Sequence, residues 1–123
     1  MVRLGDLERR VMDILWTAYG HELTGRDVAD ELPRYAYTTV LTVLSRLERK
    51  GLVRHERTGP VHRYSCVASR ESYVAALMHD ALDVGADRGA ALIRFAETVT
   101  PAEADLLRRA LDEAQAGGGT DPS

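Results

Sequence analysis

The sequence has one cysteine, one tryptophan and one phenylalanine among its 123 residues, and its four histidines show no H-x-x-x-H spacing. A lone cysteine, Cys66, excludes a disulfide framework within the chain, and it is expected to be a small buried group. No P-loop, nucleotide-binding glycine motif or G-x-S-x-G motif is present. The sequence therefore argues against an enzyme, and we expect no metal ion and no other cofactor.

Long apolar stretches are also missing. No run approaches the roughly 20 residues that a membrane-spanning helix needs. Residues 1–6 lack the apolar segment of a secretory signal. We therefore expect a cytoplasmic protein that does not insert into a membrane.

The charge of the chain is unevenly distributed. The whole chain has a net charge of −3, but residues 38–67 contain six arginines and lysines against two acidic residues, a local net charge of +4. A basic segment on an otherwise acidic protein can bind phosphates while the remainder avoids them. This asymmetry favours a protein that binds DNA.

Three segments of the first half have the apolar spacing of helices. They are a first helix that Asp6 is expected to cap, a short helix between Thr24 and Pro33, and a third helix from about Thr38 to Lys50. Thr24 and Asp27 form a predicted capping box. The inward stripe of the third helix consists of Val40, Val43, Leu44 and Leu47.

The apolar period changes to that of strands after the third helix. Residues 52–57 and 61–67 are predicted strands joined by a turn at residues 58–60, with Tyr64 and Cys66 facing inward. A brief strand is expected at residues 21–23. This order of elements indicates a winged helix-turn-helix DNA-binding domain over residues 3–68, so the fold class is mainly α with a small β wing.

Residues 69–116 return to helical spacing, and residues 117–123 are expected to form a disordered tail. The apolar side chains of this region either complete the core of the same chain or contact a second copy. Helix-turn-helix proteins usually bind DNA as dimers, which favours a helical dimerisation region. The predicted interface consists of Leu77, Leu92, Ile93, Phe95, Leu106, Leu107 and Leu111.

The outward face of the third helix has the residue types of a DNA-reading surface. It carries Thr38, Thr39, Thr42, Ser45, Arg46 and Arg49. Short hydroxyl side chains allow a close approach to the groove, and Arg46 suits either a forked contact to guanine or a phosphate contact. A solvated helix face is the alternative, because these residue types are common there.

The predicted wing carries Arg54, Arg57 and Arg63 close to a Gly-Pro tip. Edge strands need charges in any case, to prevent pairing between sheets. Because two of these arginines flank the tip, we favour phosphate contacts over a purely protective role.

Several strings resemble the BlaI/MecI family of winged-helix repressors. They are LERRVMDILW at 7–16, TVLTVLSRL at 39–47, KGLV at 50–53 and the Tyr-Ser pair at 64–65. The resemblance extends to about residue 114. It implies a homodimer on a dyad operator that represses transcription, typically of β-lactamase or resistance genes. It also implies base contacts by Thr39, Thr42 and Arg46, and we assign phosphate contacts to Thr38, Arg49, Arg54, Arg57 and Arg63.

The resemblance further implies release from DNA by proteolysis in the C-terminal region, triggered indirectly by a membrane sensor-protease. The family's Asn-Phe cleavage pair corresponds here to Arg94–Phe95, so Phe is retained and Asn is replaced. Copper-responsive repressors of similar layout need a cysteine-rich motif that this C-terminal half lacks. The alternative function is a winged-helix module for protein interaction, which needs neither a basic segment nor an arginine on the third helix.

Overall fold

The computed structural model describes residues 3–119, and these residues form six helices and a three-stranded sheet. The helices are α1 (Asp6–Thr17), α2 (Gly25–Asp30), α3 (Tyr37–Arg49), α4 (Arg70–Val84), α5 (Arg88–Thr98) and α6 (Pro101–Gly119). The strands are β1 (Leu23–Thr24), β2 (Val53–Thr58) and β3 (Val61–Cys66). The predicted mainly α fold with a small wing is confirmed.

Helices α1, α2 and α3 and the sheet enclose one apolar core. Its largest fully buried side chains are Val11, Met12, Leu15, Val28, Val40, Leu44, Leu47 and Val53. The inward stripe predicted for α3 is part of this core, so one face of α3 is anchored. Burying each such side chain stabilises the fold by about 1.5–3 kcal/mol, and this burial determines which face of α3 remains free for a partner.

The starts of α1 and α2 are capped in different ways. The prediction that Asp6 caps α1 is wrong, because Asp6 is already helical and Gly5 occupies the capping position. The Gly5 N–H instead donates to Oε1 of Glu8 at 2.9 Å. In α2 the predicted capping box is confirmed, with reciprocal bonds of 3.0 Å between Thr24 and Asp27.

The sheet has the strand order β1-β3-β2 and is antiparallel throughout. The predicted brief strand lies at Leu23–Thr24, slightly later than expected, and pairs with β3. Tyr64 and Cys66 are buried, which confirms their inward direction. Burial raises the pKa of the Cys66 thiol to about 11, against a lowering effect of the nearby Arg70.

The first turns of α4 pack against α1. Tyr73 is buried, and its ring centroid lies 5.2 Å from that of Trp16. Arg70 lies over the Trp16 ring and forms an ion pair of 3.5 Å with Asp13. The beginning of α4 is therefore part of the same core as the three preceding helices.

The chain divides into two compact units, the first ending at His79 and the second beginning at Asp80. In the second unit Asp87 caps α5, and a reciprocal pair between Thr100 and Glu103 caps α6. Helix α6 continues through Gly119, three residues beyond the predicted end of the helical region. Residues 120–123 of the predicted tail lie outside the described residues.

Candidate nucleic-acid interface

The free face of α3 lies opposite the buried stripe. Thr38, Thr39, Thr42, Ser45, Arg46 and Arg49 are all exposed, as the sequence predicted. Spacings of three and four residues put Thr39, Thr42 and Arg46 side by side on this surface. The three predicted base-contacting residues are therefore brought together.

Two details of this face determine what it offers to a partner. The Thr42 hydroxyl donates to the Thr38 carbonyl oxygen at 2.9 Å, so its proton is already used while its oxygen can still accept a hydrogen bond. Arg46 and Arg49 make no ion pair within the part of the chain that the structure describes. Their guanidinium groups are therefore available to an external anion or to a base edge.

The three wing arginines do not share one face of the hairpin. Arg54 lies opposite Ser65 and Glu56 opposite Arg63, so Arg54 and Arg63 lie on the outer face. Arg57 lies opposite His62, on the face that carries the buried Val53 and Tyr64. At the tip its Nε donates to the Gly59 carbonyl oxygen at 2.8 Å, where Gly59 has a φ of 62° that favours glycine.

A cluster of polar rings joins α3 to the wing, and the sequence did not predict it. Nδ1 of His55 lies 2.8 Å from both carboxylate oxygens of Glu48. The His55 ring packs on those of His62 and Tyr64, with centroid distances of 5.1 and 5.4 Å. Burial and the Glu48 carboxylate raise the pKa of Tyr64. These contacts fix the inclination of the wing relative to α3.

A second polar contact holds the C-terminal end of α3. Nζ of Lys50 lies 2.8 Å from Oε2 and 2.9 Å from Oε1 of the buried Glu8, and it also donates to the Arg3 carbonyl. Burial raises the pKa of Glu8, but the Gly5 N–H and the Lys50 ammonium outweigh this effect, and the net pKa lies below its ordinary value of 4.5. Glu8 is therefore a carboxylate at neutral pH.

We expect the Lys50→Met variant to be less stable at neutral pH by about 2 kcal/mol, because a buried carboxylate loses its ion-pair partner. The lowered pKa of Glu8 means that its contribution is present above pH 4.5 and is lost as the pH falls through the folded-state pKa. Urea unfolding of both proteins at several pH values measures this effect. A stability difference that stays constant down to pH 3 would contradict the assignment to Glu8.

The predicted dimer residues occupy three helices. Leu77 lies on α4; Leu92, Ile93 and Phe95 lie on α5; Leu106, Leu107 and Leu111 lie on α6. All seven are exposed, and none of the side chains described on α5 and α6 is buried. Arg94 and Phe95, the pair that corresponds to the family cleavage position, are exposed on α5. Large apolar side chains on these two helices are therefore exposed in the part of the chain that the structure describes.

Between residues 3 and 119, histidine, cysteine, aspartate and glutamate side chains form no group of three or more that could hold a metal ion. None of the helices described in that range combines the length and apolar character of a membrane span.

Similarity to known proteins agrees with this geometry. The model of the penicillinase repressor family matches residues 4–113. The transcriptional regulator BlaI of Mycobacterium tuberculosis, in strains CDC 1551 / Oshkosh and ATCC 25618 / H37Rv, is 49% identical over 128 aligned positions. This alignment covers 99% of the chain and 92% of that regulator.

Solved structures are similar in fold at low sequence identity. A MepR mutant from a multidrug-resistant S. aureus clinical isolate is 18% identical with a TM-score of 0.51, covering 93% of this chain and 78% of its own. Another S. aureus MepR mutant, bound to an oligodeoxyribonucleotide, is 16% identical with a TM-score of 0.52, covering 93% and 79%. The matches in sequence confirm the resemblance to the BlaI/MecI repressors. The chain belongs to the penicillinase repressor family and is a transcriptional repressor of the BlaI type.

Proposed function

We propose that two copies of this chain bind a dyad operator and block transcription, with α3 of each copy in the major groove. The observation that carries this proposal is the free face of α3, where Thr39, Thr42 and Arg46 are exposed while the opposite stripe is anchored in the core. An anchored helix presents its side chains to DNA at little cost in entropy, which favours base reading.

Phosphate contacts are proposed for two further residues of this face and for the three wing arginines. They are Thr38, Arg49, Arg54, Arg57 and Arg63. The hairpin puts Arg57 on one face and Arg54 and Arg63 on the other. We therefore propose that the wing contacts the backbone with its tip and with each of its two faces. A MepR mutant of similar fold that is bound to an oligodeoxyribonucleotide supports DNA binding by analogy.

The homodimer is proposed from the apolar faces of the C-terminal half. Phe95 and Leu107 are each 45% exposed, and Ile93 is 66% exposed. A monomer that left so many large apolar side chains in water would aggregate, whereas a two-fold interface buries each of them in both copies. We propose that α5 and α6 form this interface together with Leu77 of α4.

The regulated genes and the release step are proposed from the family. Penicillinase repression implies control of β-lactamase or related resistance genes. We propose release by cleavage at Arg94–Phe95 after activation of a membrane sensor-protease, which requires local opening of α5 because the pair is helical. A repressor acts where the genome lies, so the proposed localisation is cytoplasmic.

The test is a titration against labelled DNA from the upstream region of the gene, with scrambled DNA as competitor, at two salt concentrations. We expect a complex of two chains per operator that resists competitor by at least about 10³-fold and weakens with salt. Weak, salt-insensitive association with both DNAs would contradict the proposal and would favour a protein-interaction module.

A further inference from the structure

Beside the free face of α3, one arginine of α2 is held in a defined position. The guanidinium carbon of Arg26 lies 4.2 Å from the centroid of the Tyr37 ring. Arg26 is the second residue of α2, and Tyr37 is the first residue of α3. A guanidinium stacked on an aromatic face loses less freedom when it binds an anion than a free arginine does.

The position of Arg26 depends on close packing between the two helices. At Gly25 an added Cβ would lie 2.7 Å from Cδ2 of Leu41 and 3.3 Å from the Tyr37 hydroxyl oxygen. A larger residue at this position would require the side chains of Leu41 and Tyr37 to shift, so the glycine favours close packing of α2 on α3. The capping box of Thr24 and Asp27 fixes the backbone on both sides of Gly25. Arg26 is therefore presented from a rigid junction rather than from a loop.

The charge of Arg26 has no counterion among the described residues. Arg9 and Arg70 both form ion pairs with Asp13, but Arg26 forms none, and its acidic neighbour Asp27 accepts the Thr24 N–H. Arg26 is also exposed. It borders a cleft that Tyr37, Ser45 and His62 line, between α3 and the wing. A positioned, uncompensated cation at the edge of a cleft is suited to an anion that arrives from outside.

We propose that Arg26, supported by Tyr37, binds a backbone phosphate of the DNA duplex beside the groove that α3 enters. This inference rests on the proposed DNA binding and adds a contact that lies outside α3 and the wing. The contact positions the start of α3 without reading bases, because phosphate contacts set register and orientation but contain no sequence information. The stacked ring keeps the guanidinium aimed at the cleft.

The test compares Arg26→Gln with the wild-type protein on operator DNA and on random DNA over a range of salt concentrations. We expect affinity for both DNAs to fall by the same factor, roughly tenfold. The slope of log affinity against log salt should become shallower by about 0.9 for each lost phosphate contact, or about twice that for a dimer. Arg26→Lys should keep the slope, because the charge remains.

Two further variants separate this role from a structural one. Tyr37→Leu should weaken DNA binding less than Arg26→Gln and leave the salt slope near that of the wild type, because the charge stays but its support is lost. Arg10→Ala removes an exposed arginine from α1 and should bind DNA like the wild type. An Arg26→Gln protein with wild-type affinity and slope overturns the inference, even if its thermal stability falls. A wild-type protein that binds no DNA overturns the proposed function as well, so the two failures are distinguishable.

Discussion

Replacing Leu107 with Asp is expected to convert the proposed dimer into a monomer and to lower operator affinity by about 10²- to 10⁴-fold. Leu107 is exposed on α6, a helix whose described side chains are all partly or fully exposed within one chain. In a two-fold interface the substitution occurs twice, so two carboxylates would enter an apolar contact without partners. A monomer holds only one half-site and loses the effective concentration that the second half-site supplies. Sedimentation equilibrium measures the change in mass, and the operator titration measures the loss of affinity.

The matched control for this variant is Ala116→Asp. Ala116 is exposed on the same helix, nine residues after Leu107, which puts the two side chains on opposite faces. The Ala116→Asp protein should remain dimeric and bind operator like the wild type. The first unit has its own core, so circular dichroism should show that Leu107→Asp retains its helices. A Leu107→Asp protein that sediments as a dimer would remove this face of α6 from the interface.

The regular elements could be predicted because their signals are local. The inward stripe of α3, the capping boxes at Thr24 and Thr100, and the strand pair after Gly51 depend on spacings of a few residues. Gly51 has a φ of 82°, which explains why a glycine follows Lys50, the C-cap residue of α3. The exposed face of α3 follows directly from its buried stripe. The sequence was therefore sufficient to place Thr39, Thr42 and Arg46 together.

The contacts that hold the candidate interface in place could not be predicted, because they join distant positions. Glu8 and Lys50 are 42 residues apart. The pairing of Glu48 with His55 spans the turn between α3 and β2, and only the hairpin register brings His62 onto His55. Register also decides that Arg57 faces away from Arg54 and Arg63, which composition alone does not reveal.

The function of the C-terminal helices illustrates a different limit of sequence patterns. An apolar stripe has the same spacing whether a helix packs on its own chain or on a second copy. On α5 and α6, Leu92, Leu106 and Leu111 are more than half exposed within one chain, and we propose that a second copy covers them. Their apolar faces remain available for a partner, and this is the reason why the Leu107 variant is informative.

Replacing Arg46 with Ala is expected to lower affinity for the operator by about 1–3 kcal/mol for each half-site, and by about twice that for a dimer that holds two. The side chain is exposed beside Thr39 and Thr42, and no ion pair in residues 3–119 competes for it. A forked contact to guanine supplies two charge-assisted hydrogen bonds that alanine cannot replace. Competition titrations on operator and on random DNA at one salt concentration measure the change in specificity.

Two companion variants determine what kind of contact Arg46 makes. Arg46→Lys keeps the charge but not the planar fork, so it should lose most of the specificity and little of the affinity for random DNA. Arg49→Ala, a proposed phosphate contact on the same face, should weaken binding to both DNAs equally. If Arg46→Ala behaves like Arg49→Ala, then Arg46 contacts the backbone and base reading depends on the threonines. If Arg46→Ala binds both DNAs like the wild type, α3 contacts the groove through a different part of its face.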